Sequence, residues 1–283
     1  DYPFLDDYFS TVEEYYGGKA TNLDFRSDTE NSRITINDWV EEKTDGRIKD
    51  LIPPGILKPS TRLVLTNTIY FKANWSSQFD TELTREQDFK LDSGGKVKVE
   101  MMHKTDSFNY GETGDLQILE MPYKGNDLSM LILLPKEGIL SKGGDIDELE
   151  DSFSLENIDD WKENMNWELV EVSLPKFKFE TKYFMKDDLK EMGMPTAFKY
   201  PEADFTGMSP TDELAIDKVI HQTFIEVNEA GTEAAAATAM MNAMGISLSG
   251  PKTFTADHPF IFIIQEKETG TILFLGRVSD PSE

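Results

Sequence analysis

The stretch 62-RLVLTNTIYFKANW-75 limits the possible folds more than any other part of the chain. It is rich in β-branched and aromatic residues and apolar on both faces, which an exposed hairpin is not. It reads as a central strand, covered on both sides. Further β-rich runs follow at 97–102, 116–122, 128–134, 167–175, 215–227, 260–266 and 271–278. Turn chemistry separates several of them: SGG at 93–95, KGND at 124–127 and KETGT at 267–271.

Helical periodicity is confined to a few places. The opening 2-YPFLDDYFSTVEEYYGG-18 sets Phe4, Leu5, Tyr8, Phe9, Val12, Tyr15 and Tyr16 at helical spacing, and Gly17 and Gly18 end it. A strand-like TNLDF comes next. A second helix is expected over 34–48, with Ile34, Trp39 and Val40 among polar residues, and Pro53 and Pro54 close that region. Acidic helical stretches are expected near 146–164 and 183–192. No internal repeat or linker breaks the chain. The expectation is one α+β domain over 1–283, with large mixed or antiparallel sheets and helices around them.

A chain of 283 residues can bury an ample core. Its formal net charge of −25 sets up a field that repels phosphate, which argues against nucleic acid and anionic membranes as partners. There is no cysteine, so no disulfide framework. No run approaches the ~18 apolar residues of a membrane helix. The start, DYPFLDDYFS, has neither a basic nor an apolar leader region, so no signal peptide is visible in this chain.

Ordinary catalysis finds no foothold. His103, His221 and His258 are scattered, with no second histidine at metal-ligand spacing, so neither metal nor cofactor is expected. No nucleophile elbow, phosphate loop or dinucleotide fingerprint occurs. The many carboxylates read as a solvated acidic face. Asn74-Trp75-Ser76 is a glycosylation sequon in form, but its tryptophan beside a buried strand favours packing. The chain is not expected to be an enzyme.

One segment remains, 229-EAGTEAAAATAMMNAMG-245, a string of methyl groups between two strand-like runs. It resembles the hinge of the reactive-centre loop in inhibitory serpins. The surrounding 218-KVIHQTFIEVNEAGTEAA-235 is similar to the strand leading to that loop, and 258-HPFIFIIQEKETGTILFLGRVSDP-281 to the family's C-terminal signature. The run 66-TNTIYFKANW-75 matches the family's Asn-x-x-x-Phe-x-x-x-Trp strand, and 173-SLPKFKFE-180 its Leu-Pro-Lys-Phe. The match runs through nearly the whole chain, roughly the C-terminal three-quarters of the usual family length. Family members begin earlier, with several helices and a short strand, and DYPFLDDY corresponds to a helix well inside their fold. An N-terminal segment or companion chain would complete it.

The resemblance implies the serpin fold, with a reactive-centre loop at about 229–253, and suicide inhibition of a serine protease through a conformational change. The protease cuts the loop, and the cut loop enters the main sheet as a new strand. The implied hinge is Glu229, Gly231, Thr232, Glu233, Ala234, Ala235, Ala236 and Ala237. In a strand, alternate side chains share a face. Thr232, Ala234, Ala236 and Thr238 then share one, and the only charge, Glu233, falls on the other. Thirteen residues at ~3.3 Å each span ~43 Å, enough to drag an attached protease along the domain and distort its active site. Asn67 and His221 match polar residues beneath the opening of the sheet, Trp75 and Glu229 residues at its top, and Gly231 supplies a turn.

Counting from Glu229 puts the scissile bond at Met244–Gly245; counting back from Phe260 gives Leu248. No Lys or Arg lies between Glu229 and Gly250, so subtilisin-, chymotrypsin- or elastase-like proteases are the expected targets, and secretion is what the resemblance favours. Two other readings stay open: a non-inhibitory binding or structural protein on the same scaffold, and an inactive fragment.

Overall fold

The structure is a computed structural model and describes residues 3–136, 145–211, 214–231 and 250–282. In chain order it forms α1 (Asp6–Tyr16), α2 (Thr29–Lys43), β1 (Leu63–Tyr70), β2 (Arg85–Lys90), β3 (Lys96–Glu112), β4 (Leu116–Pro122) and β5 (Leu128–Pro135). Then follow α3 (Asp145–Asp151), α4 (Leu155–Glu163), β6 (Asn166–Pro175), β7 (Phe177–Phe184) and α5 (Lys186–Glu191). The chain closes with β8 (Ile216–Val227), β9 (Lys252–Thr255), β10 (Phe260–Glu266) and β11 (Ile272–Val278). Contacts divide it into two compact units, Asp1–Tyr70 with Glu180–Phe224, and Phe71–Phe179 with Ile225–Glu283.

In the first unit, α1 ends as its sequence dictates: Gly17 takes a left-handed φ of 59° and its N–H bonds back to Glu13 O. Helix α2 starts and stops five residues earlier than expected. Its buried face is partly polar: Arg33 and Asn37 are buried and both donate to Ile52 O, while Asn37 Oδ1 accepts from Ile52 N. That hydrogen-bonded anchor, with Val40, replaces an apolar stripe in fixing the helix to Ile48, Leu51 and Ile52. The strand-like TNLDF forms no strand. The sheet order is β1-β8-β7. β1 therefore stands at the end of that order and not centrally, and it stops at Tyr70, short of the expected 75. With one edge free of partners in this sheet, its Leu65 is 37 % exposed. β8 lies beside β1 in parallel, through eight registered pairs from Leu63–Ile216 to Tyr70–Phe224.

The second unit is an eight-stranded sheet in the order β11-β10-β5-β4-β3-β6-β9, with β2 paired to β3. β4 and β10 have the bounds their apolar runs predict, and β5, β6 and β11 come within a residue. β3 runs ten residues beyond the expected 102, because its second half pairs with β6 and β4 at once. One face packs Phe89, Met101, Phe108, Tyr110, Phe254, Phe260 and Phe262 into the main core. Over β4, β5 and β10 the other face lies under α3 and α4, through Ile118, Leu131, Leu133, Ile261 and Ile263 against Ile146, Leu149 and Ile158. The single helical stretch expected at 146–164 is thus two helices, parted where the Ser154 side chain caps the second by accepting from Asn157 N.

Candidate functional site

Two places gather the residues singled out from sequence. The first is the seam between β1 and β8. Asn67 and His221 are register partners there, and His221 Nδ1 lies 2.8 Å from Asn67 Oδ1. Asn67 has the acceptor, so His221 carries its proton on Nδ1. The imidazole stacks on Tyr183 of β7, with ring centroids 6.2 Å apart. Partial desolvation holds His221 below its ordinary pKa, opposed by its bond to Asn67. Parallel ladders are slightly weaker per residue than antiparallel ones, and this side-chain bond adds a specific clasp to the seam.

The second place is the segment just after β8, which the chain 73–79 clamps by its backbone. Trp75 N donates to Ala230 O at 2.9 Å, and Phe79 N to Glu229 O at 2.9 Å. Trp75 Nε1 donates to Asn228 O at 3.0 Å. Gln78 Nε2 donates to Ala230 O at 3.3 Å. Trp75 itself is 2 % exposed and stacks on Tyr123, with centroids 4.6 Å apart and planes at 10°. The clamping segment is held in turn by β3: Lys104 Nζ donates to Ser77 O at 2.7 Å, and the Ser77 hydroxyl bonds to Asp106.

Gly231 closes this clamp. Its φ is +116°, and a Cβ there would fall 2.4 Å from Trp75 N and 2.5 Å from Ala73 O. Both are main-chain atoms, so only glycine fits. The Glu229 carboxylate accepts from the Thr84 hydroxyl at 2.8 Å and pairs with Lys176 Nζ at 3.5 Å. Burial pushes Glu229 up, but backbone N–H, Thr84 and Lys176 together bring its pKa below the ordinary value. Lys176 is the lysine of Leu-Pro-Lys-Phe, and neither it nor Thr84 was given a role from sequence. A charge at that position of a β-bend, opposite an acidic hinge residue, was the available signal.

Thr232, Glu233, Ala234, Ala235, Ala236, Ala237, Met244, Gly245 and Leu248 lie outside the described residues. His103 and His258 stand apart from both places. His103 Nδ1 bonds to Ser173 Oγ at 2.9 Å, while His258 bridges Asp257 and Pro135 O. Among the described residues no group of three or more His, Asp and Glu could hold a metal ion. A cleft of about 290 Å³ in the first unit, lined by Phe4, Tyr8, Val12, Trp39 and Leu65 among others, has no Asp, Glu or His in its wall and hence no acid–base pair. No described helix is long and apolar enough to cross a membrane.

The profile of the serpin (serine protease inhibitor) family matches residues 1–281. The chain belongs to the serpin family. An uncharacterized serpin-like protein of Thermococcus kodakarensis is 48 % identical over 284 residues, covering 100 % of this chain and 64 % of that protein. The human leukocyte elastase inhibitor is 41 % identical, covering 99 % of this chain and 74 % of its own length. Among solved serpins, uncleaved ovalbumin superposes with a TM-score of 0.87 at 31 % identity, over 99 % of this chain and 70 % of that one. This serpin chain spans about two thirds, 64–65 %, of the archaeal relatives it matches. The serpin fold inferred from the five motifs therefore holds, and serpins are inhibitors of proteases and not enzymes.

Proposed function

We propose that this serpin chain inhibits serine endopeptidases by suicide: the protease cleaves the loop that follows Gly231, and the freed loop becomes a strand between β1 and β8. The observation that carries this reading is that β1 and β8 are direct, parallel neighbours over eight pairs. A chain that leaves the end of β8 and folds back runs antiparallel to β8, and therefore antiparallel to β1 as well. Inserting it exchanges one parallel ladder for two antiparallel ladders, each at least as stable per residue. The gain is substantial and stays out of reach while the loop is tethered at both ends.

The rest of the chemistry fits. Entry between packed strands disfavours bulk and charge, and Thr232, Ala234, Ala236 and Thr238 would present only hydroxyl and methyl groups to the buried face. The clamp on Asn228–Gly231 fixes the point from which the loop departs. The Asn67–His221 bond spans the seam and delays its opening until the insertion drive is present. Met244–Gly245 is the favoured cleavage site, with Leu248 the alternative register, and an unbranched apolar residue there suits subtilisin-, chymotrypsin- or elastase-like pockets.

The test is to mix the protein with subtilisin and with chymotrypsin and resolve the products on a denaturing gel. A covalent complex that survives denaturant is expected with at least one of them, along with release of the peptide after residue 244. A loop cut cleanly with full protease activity remaining would instead favour the non-inhibitory scaffold.

A further inference from the structure

The face of β6 turned away from the main core carries a row of exposed apolar side chains that the insertion mechanism does not use. β6 pairs with β3 so that Trp167 lies opposite Asn109 and Leu169 opposite Ser107. Those residues share one face of the sheet. The pairs Asn109–Glu120, Gly111–Ile118 and Ile118–Leu133 carry the same face across to β5, where α3 and α4 cover it. At β6 the cover is missing: Trp167 is 64 % and Leu169 44 % exposed. The other three tryptophans are buried or half-buried. Single exposed apolar residues are ordinary, but an adjacent Trp–Leu pair on one row is the composition of an interface.

The position of the row says what would cover it. β9 is the next strand, parallel to β6, with Val170 beside Lys252. Going back from Lys252 towards the loop moves along β6 from Val170 to Trp167, and the next step in register sets Pro251 beside Leu169. The row thus flanks the point where the loop returns to the sheet. From Met244 to Lys252 the chain reaches at most about 29 Å when fully extended. A compact domain the size of a serine protease is on the order of 40 Å across. A protease seated at that bond extends over the row.

We propose that Trp167 and Leu169 form a second contact surface for the target serine protease, engaged by an apolar patch on the primed side of its cleft. This rests on the inhibitor reading above and adds to it a contact outside the loop that selects among proteases with similar primary pockets. The contact exists in the encounter complex, before acylation, and leaves the later race between insertion and deacylation alone.

The experiment measures affinity for subtilisin whose catalytic serine is replaced by alanine, which binds without cutting. Wild type, Trp167→Ser, Leu169→Ser and a control Leu275→Ser on exposed β11 are compared, each with a thermal melt to verify folding. Trp167→Ser is expected to raise Kd about tenfold, Leu169→Ser several-fold and Leu275→Ser not at all. With active subtilisin, the ratio of complex to cleaved product should stay at its wild-type value in all three. Equal Kd for wild type and Trp167→Ser, with wild type still trapping the active enzyme, overturns this proposal alone. Failure of wild type to bind or trap any protease overturns the inhibitor reading and this one with it. Should sedimentation show a dimer that Trp167→Ser dissociates while protease affinity is unchanged, a second copy covers the row and the proposal is wrong.

Discussion

Asn67 and His221 face each other across the seam between β1 and β8, with 2.8 Å between Oδ1 and Nδ1. Their bond spans the two strands that loop insertion would part. Because desolvation lowers the His221 pKa in the folded state, the unfolded chain binds its proton more readily. Stability from this group is therefore complete above the ordinary histidine value of about 6.5, and is lost as pH falls through that value towards the folded one. Half exposure keeps the effect under about 1 kcal/mol. The melting temperature of wild type should drop on going from pH 7.5 to 5.5 by more than that of His221→Gln. Parallel pH profiles for the two would remove His221 as the source.

Gly231→Ala should be among the most damaging changes outside the core. The added methyl group meets the backbone at Trp75 N and Ala73 O, and the left-handed φ penalises any side chain besides. Strain of this kind costs about 3 kcal/mol or more, which for a protein of this size lowers the melting temperature by at least about 6 °C. A melt within a degree or two of wild type would show that the segment relaxes freely and is no clamp.

The Glu229–Lys176 pair is a partly buried charge contact, with side chains 12 % and 30 % exposed. A double-mutant cycle with Glu229→Gln and Lys176→Met should give a coupling of about 0.5–1.5 kcal/mol by denaturant titration. Glu100 shares Lys176, so the coupling is expected below the value for an isolated buried pair. Additive effects within error would mean that Thr84 and the backbone alone hold the carboxylate.

Thr232→Arg should turn an inhibitor into a substrate. The residue follows the clamp directly and would be the first to enter the seam with its side chain buried. An unpaired guanidinium there costs several kcal/mol, so insertion slows while cleavage at the distant bond proceeds. On a denaturing gel with subtilisin, complex should give way to cleaved product. Equal complex from both proteins would refute insertion as the trapping step.

What could be read in advance followed from burial. β4, β5 and β10 are apolar nearly throughout because both faces are covered, and their bounds came straight from composition. β2 (REQDFK) and β9 (KTFT) went unseen, since each lies at a margin of the sheet with polar side chains outward and offers no apolar run. Helix α2 was misplaced because Ser32, Arg33 and Asn37 occupy its buried face, a pattern that periodicity of apolar residues does not detect. Asn67 and His221 were paired through resemblance to other serpins. From residues alone, His221 was only a histidine in a strand. The contribution of Lys176 and Thr84 depends on contacts spanning 53 and 145 positions of chain, and no local signal marks such partners.

The stacking of Trp75 on Tyr123 has an optical consequence. Trp75 is enclosed and dry, 4.6 Å from its partner ring, whereas Trp167 is open to water. Indole emission shifts to longer wavelength with hydration, so the two ends of the protein's natural spectrum belong to different places. Any event that loosens the backbone grip on Asn228–Gly231 admits water to Trp75 and reddens the short-wavelength component. The chain thus comes with its own spectroscopic label at the root of the loop, placed where a dye would have disturbed the contacts it was meant to report.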